Sequence, residues 1–162
     1  MWRFLKSWGI PVLLVVLFQV LGSRGLLSNA KAPDLEGTLI SGQSYPGLMA
    51  EKGPVLVYFW GSWCGICRAM QSSIRHVSAD HRLISVALRS GSPDEVRLYM
   101  ESQGFDVPAL ADEGGVLAER YGVRGVPALF FVDGDGVIRN ATTGFTTEAG
   151  IRLRLWWLGR SR

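Results

Sequence analysis

The chain has 162 residues, 48% of them hydrophobic and 19% charged, with a formal net charge of +3. That balance excludes a disordered or fibrous chain, and the scattered arginines form no basic groove, which argues against a nucleic-acid partner. The two cysteines stand only three positions apart, so they cannot staple a secreted scaffold, and their purpose is chemical.

In chain order, Arg3 and Lys6 precede an uncharged stretch, Ser7 to Ser23, whose apolar part runs from Ile10 to Leu21. The positive flank orients this segment with the N-terminus in the cytoplasm and the rest of the chain outside. Two readings fit it. A cleavable signal would end near Ser28-Asn29-Ala30 and release a secreted domain. An uncleaved single-pass anchor, extended by Trp2, Trp8 and Leu26-Leu27, is favoured, and would hold the domain at a bacterial inner membrane on its periplasmic side. Residues 1–31 are assigned to this anchor or signal and its tether, residues 32–162 to one domain; Gly, Ser, Asn and Pro make residues 24–37 read as linker.

Thr38 to Ser44 reads as a short strand ending in a turn at Ser44-Tyr45-Pro46-Gly47. Val55 to Trp60 is a continuous apolar run that suits a central strand covered on both faces. It leads into Gly61-Ser62-Trp63-Cys64, where Cys67, Met70, Ile74 and Val77 begin a helical period. Leu83 to Leu88 is a second buried strand, and Ser92-Pro93-Asp94-Glu95 opens a helix that stops near Gly104. A short extended segment at Val107 to Ala111 and a short helix at Gly115 to Tyr121 follow. Val126 to Val132 and Gly136 to Asn140 form a hairpin through Asp133-Gly134, and a last helix covers Thr147 to Leu158 with Ile151, Leu155 and Leu158 on one face. Strands separated by helices require parallel pairing, so the order predicts an α/β fold with a mixed central sheet and helices on both faces.

Cys64 stands where a strand ends and a helix begins. Unpaired N–H groups and the helix dipole at such a place favour the thiolate, the form that attacks disulfides. Cys67 follows almost one turn later on the same face, placed to resolve the mixed disulfide that Cys64 forms. A zinc site using His76 and His81 is the main competing reading. Only eight residues separate Cys67 from His76, fewer than the roughly twelve of a zinc finger. Asp133-Gly134-Asp135-Gly136 lacks the downstream carboxylates of a calcium loop and reads as a turn. No metal site is therefore assigned. Trp60 reads as core; Trp63 either covers the rim of the site or touches partner peptides.

With Phe59-Trp60-Gly61-Ser62-Trp63-Cys64-Gly65-Ile66-Cys67-Arg68, the chain strongly resembles the thioredoxin superfamily. Tyr121-Gly122-Val123-Arg124-Gly125-Val126-Pro127-Ala128 adds the second motif of that superfamily. The resemblance implies a cis Pro127 opposite the cysteines, with Val126, Pro127 and Trp63 contacting substrate and Trp60, Gly65 and Ile66 supporting the site. A segment from about Ser90 to Ala111 is similar to the inserted helix and strand of the TlpA/ResA-like, membrane-anchored branch. Within it, the chain looks most similar to the suppressor-of-copper-sensitivity D type. Cytochrome-c-maturation thioredoxins usually carry Glu after the cis proline, where this chain has Ala128. The buried acid of plain thioredoxin falls at Tyr58, and Ile66 replaces the proline of strongly reducing thioredoxins.

The resemblance implies a protein disulfide reductase that needs no cofactor beyond the Cys64–Cys67 pair and is recharged by a membrane electron donor of the DsbD type. Two alternatives stand beside it: a disulfide oxidase, isomerase or cytochrome-c-maturation thioredoxin, and a copper-binding or metallochaperone module using the same thiols.

Overall fold

A computed structural model describes residues 26–50 and 53–160. The apolar segment expected to act as anchor or signal, up to residue 25, lies outside the described residues. Among the described residues, no helix is long and apolar enough to cross a membrane.

A small antiparallel hairpin, β1 (Gly37–Thr38) with β2 (Ser44–Tyr45), precedes a single 3₁₀ turn at Leu48–Ala50. The central elements are β3 (Val55–Trp60), α1 (Gly65–Asp80), β4 (Leu83–Leu88), α2 (Pro93–Ser102), β5 (Ala109–Asp112), α3 (Val116–Arg120), β6 (Ala128–Val132), β7 (Ile138–Thr143) and α4 (Glu148–Arg160). The five-stranded sheet runs β5-β4-β3-β6-β7. β3, β4 and β5 are parallel, as their helical crossovers require, while β6 and β7 run antiparallel. This is a thioredoxin fold, with α2 and β5 supplied by the Ser90–Ala111 segment.

β3 carries apolar residues at every position because both its faces are covered. Leu56, Tyr58 and Trp60 point to one side, against Met70, Ile74 and Val77 of α1, Val96 and Met100 of α2, and Ile151, Leu155 and Leu158 of α4. Val55, Val57 and Phe59 point to the other, where Tyr121, Phe130 and Leu35 complete the second core. The rings of Phe59, Tyr121 and Phe130 meet there at 5.0–5.7 Å between centroids. Ser92 caps α2 with a full capping box, its hydroxyl accepting from the Glu95 N–H while the Glu95 carboxylate accepts from the Ser92 N–H.

Three stretches depart from the sequence reading. The segment read as a tether is packed along its described part. Leu26 and Leu35 are buried, the Asn29 N–H donates to the Ile138 carbonyl, and the Ile138 N–H donates to that of Ala30. Lys31 bridges to Val137, so this segment covers one end of the β7 edge. The strand expected over Thr38–Ser44 is instead a hairpin, because the chain reverses between Leu39 and Gln43, whose carbonyl accepts from the Leu39 N–H. β7 starts two residues late and runs three longer than the apolar pattern indicates. Asp133 closes the loop by accepting the N–H groups of Asp135 and Val137, and Ala141, Thr142 and Thr143 continue the strand because Phe130, Leu129 and Ala128 offer them partners.

Candidate active site

β3 ends at Trp60, at the C-terminal edge of the sheet, and the chain turns through Gly61-Ser62-Trp63 before entering α1. The turn is closed by the Cys64 N–H donating to the Gly61 carbonyl at 3.0 Å. Cys64 itself is the N-cap of α1. Its backbone is extended (φ −92°, ψ 107°), and its sulfur accepts from the Cys67 N–H at 3.1 Å. The sulfur therefore occupies the place that a capping oxygen usually fills, on the positive end of a sixteen-residue helix. Cys64 and Cys67 are joined in a disulfide with their Cα atoms 5.2 Å apart.

The two sulfurs are unequally placed. Both cysteines are largely buried, Cys67 at 1% exposure and Cys64 at 7%. Gly65 and Ile66 between them are exposed, so the disulfide loop stands at the surface while Cys67 faces the core. The Val126–Pro127 peptide is cis. Cys64 Sγ lies 3.7 Å from the Val126 carbonyl oxygen, which brings the loop before β6 against the helix N-terminus. Val126 stands outside the β3–β6 pairing, which ends at Phe59 and Ala128, and Pro127 is buried beneath it.

Trp60 is buried and its indole N–H donates to Ser85 Oγ of the neighbouring strand at 3.2 Å; its ring stacks on Tyr99 and meets Phe105 edge-on. Trp63 remains 59% exposed, with its indole N–H donating to the Leu88 and Arg89 carbonyls at 3.3 and 3.2 Å. Together with Ile66 and Phe145, each more than half exposed, it makes an apolar rim around the sulfurs. Phe145 is brought there by the Gly144 N–H, which donates to the Pro127 carbonyl.

Two contributions escape a reading of sequence alone. Ser90 Oγ accepts from the Ser62 N–H at 3.0 Å and donates to the Leu88 carbonyl, tying the active-site turn to the loop after β4. Phe145 joins the rim through β7, although it lies 81 positions after Cys64. The available signal was topological: the end of β4 lies beside the end of its parallel neighbour β3, and the end of β7 lies beside the start of its antiparallel neighbour β6, next to Pro127.

Beneath the site, Tyr58 is fully buried and its hydroxyl is the one buried side-chain polar atom without a partner among the described residues. Burial, and secondarily the neighbouring Tyr99, push its ionisation far above the usual tyrosine value. A neutral phenol thus stands where the plain-thioredoxin pattern has an acid.

The histidines lie elsewhere. His76 is roughly 18 Å along α1 from Cys64, and its Nδ1 meets Glu148 Oε2 at 3.1 Å. Among the described residues, no three His, Cys, Asp or Glu side chains gather into a metal-holding group. Asp133 spends its carboxylate on the loop N–H groups and on Arg139 Nε at 2.6 Å.

Comparison with known proteins points the same way. A family described as AhpC/TSA matches residues 28–141. A thioredoxin-like protein of Haemophilus influenzae is 32% identical over 125 residues, covering 76% of this chain and 72% of the relative. Thiol-disulfide oxidoreductase ResA of Bacillus thuringiensis is 27% identical over 124 residues, 74% of this chain and 69% of its own. Among solved structures, the exposed lipoprotein thioredoxin Etrx1 of Streptococcus pneumoniae superposes with a TM-score of 0.71 at 27% identity, covering 78% of this chain and all of that one.

Proposed function

Given that the chain belongs to the AhpC/TSA family and is a thiol:disulfide oxidoreductase of the thioredoxin fold, we propose that it reduces protein disulfides outside the cytoplasm, through Cys64 as nucleophile and Cys67 as resolving thiol. The observation that carries this reading is the Cys64 sulfur capping α1 beside the Val126 carbonyl. A reduced Cys64 there would have its thiolate stabilised by the helix terminus.

In the forward cycle the Cys64 thiolate attacks one sulfur of a partner disulfide. That S–S bond breaks, a mixed disulfide forms, and the other partner sulfur leaves as thiolate and takes a proton. Cys67 then gives up its proton and attacks Cys64 Sγ, releasing the second partner thiol and closing the Cys64–Cys67 bond. The partner gains two electrons and two protons. A dithiol donor, of the DsbD type implied by the ResA-like resemblance, restores the pair by the reverse exchange, and no further cofactor takes part.

The apolar rim of Trp63, Ile66 and Phe145 suits side chains flanking a disulfide, and the Val126 backbone, outside the β3–β6 pairing, would align an extended peptide. The reducing direction rests on the ResA-like resemblance. The extracytoplasmic site rests on Arg3 and Lys6 preceding the apolar segment, with the N-terminus in the cytoplasm and the domain held at the inner membrane. The description of the pneumococcal relative as an exposed lipoprotein accords with it.

The test is trapping in cells. Cys67→Ser is expected to accumulate mixed disulfides with partner proteins that vanish on reduction, and Cys64→Ser to accumulate none. Trapping by Cys64→Ser and not by Cys67→Ser would reverse the assignment of roles, and equal trapping by the two would contradict it.

A further inference from the structure

The outer side of α4 has no place in the chemistry described above. Its inner face buries Ile151, Leu155 and Leu158. A second apolar stripe, Leu153, Trp156 and Trp157, runs along the opposite side at spacings of three and four, with exposures of 64%, 52% and 68%. Two adjacent tryptophans, each more than half exposed beside Leu153, make an apolar patch of the kind that marks an interaction surface.

Charge identifies the cover. From Ala149 to Arg162 the sequence holds four arginines and no acid. The Arg160 guanidinium stacks over the Trp156 ring at 4.1 Å, and the Arg154 guanidinium lies 5.7 Å from the Phe131 ring centroid. Among the described residues, no carboxylate pairs with either. Arg139 borders the same groove but is paired with Asp133. A second copy of this face would set arginine against arginine. The chain's own apolar segment, Ile10 to Leu21, would cover the tryptophans but holds no acid to set against Arg154 and Arg160. Tryptophan bodies beside arginine heads match the boundary of an anionic bilayer.

Position agrees. Asn29, in the segment packed along the β7 edge, lines the groove beside Trp156 and Trp157. Trp156 also neighbours Pro54 and His81, at the start of β3 and the end of α1, opposite the ends that carry Cys64. β3 alone spans roughly 20 Å.

We propose that the outer face of α4 lies on an anionic phospholipid surface, with Leu153, Trp156 and Trp157 in the headgroup layer and Arg154 and Arg160 on phosphates. The inference rests on the membrane tether proposed above. It would fix the tethered domain with the Cys64–Cys67 rim turned away from the bilayer, toward protein partners.

The experiment is hydroxyl-radical footprinting of the full chain, one copy per nanodisc, in phosphatidylcholine discs with and without phosphatidylglycerol. Trp63 serves as the internal reference. In phosphatidylglycerol discs, Trp156 and Trp157 are expected to be several-fold less modified than Trp63. Arg154→Glu with Arg160→Glu should restore their labelling, each arginine being worth about fivefold in partitioning. Labelling of Trp156 and Trp157 equal to that of Trp63 on disc-bound chain would overturn the docking and leave the tether standing. Protection indifferent to lipid charge and to the two arginines would overturn it in favour of the chain's own apolar segment. A chain that binds neither disc would contradict tether and docking together.

Discussion

The indole of Trp63 lies on the backbone of Gly61, so closely that a Cβ at that glycine would stand 2.6 Å from Trp63 Cε2 and 2.8 Å from its Nε1. Glycine is required there for a ring to lie flat over the turn, and not for backbone conformation. Gly61→Ala should expel the ring and break its hydrogen bonds to Leu88 and Arg89. If Trp63 contacts partners from this position, KM for a protein disulfide should rise about fivefold in Gly61→Ala and in Trp63→Ala alike. The double variant should add little, because both changes remove one contact. Additive effects in steady-state kinetics would separate the two residues.

Ser90 is expected to act on the same turn from outside it. Ser90→Ala leaves the Ser62 N–H without its acceptor and should cost about 1 kcal/mol of stability in denaturant titration. Ser90→Thr keeps the hydroxyl and should restore most of that loss.

Tyr58 carries a buried hydroxyl with nothing to bond. Tyr58→Phe removes an unsatisfied polar group without changing the packing of the ring. It should leave stability unchanged or raise it by about 1 kcal/mol, read from thermal or chemical unfolding. Because burial holds the phenol protonated far above its usual range, the same variant should leave the pH profile of thiol alkylation at Cys64 unmoved. A shifted profile would mean that the hydroxyl takes part in proton transfer.

Asp133 gives a pH signature of the opposite kind. Burial alone would raise its carboxyl, but N–H donors from Val137 and Asp135 and the Arg139 guanidinium outweigh that and hold it below the usual aspartate value. A carboxyl depressed in the folded state stabilises above its unfolded value, near 4, and that stabilisation is lost as pH falls through the folded value. Asp133→Ala should cost about 2 kcal/mol at neutral pH, and the gap from wild type should shrink below about pH 4. Urea titrations at pH 7 and pH 3 measure it; a gap that does not change with pH would assign the loss to packing.

Much of the site was legible because its signals are local. Val55 to Trp60 reads as a doubly covered strand from its own side chains, and Cys67, Met70, Ile74 and Val77 mark the buried seam of α1 without reference to anything distant. The Ser92 cap is likewise written in four consecutive residues. What could not be read depends on partners remote in sequence. Leu26 to Pro33 has the composition of a linker, and only the exposed edge of β7 gives its N–H and carbonyl groups somewhere to go. Thr142 and Thr143 look like loop until Leu129 and Ala128 lie beside them. Ser90 meets the active-site turn, and Gly144 carries Phe145 to the Pro127 loop, through the order of the strands, a property that no local pattern contains.

The direction of electron flow is the centre of the functional account, and the resting state of Cys64 and Cys67 in cells tests it most directly. Acid quenching followed by thiol alkylation counts the free sulfurs before they can exchange. A mostly reduced pair is expected, since a reductase outside the cytoplasm must be held reduced by a continuous supply of electrons. A mostly oxidised pair, unchanged when the membrane electron donor is present or removed, would contradict that account and assign the chain to disulfide formation.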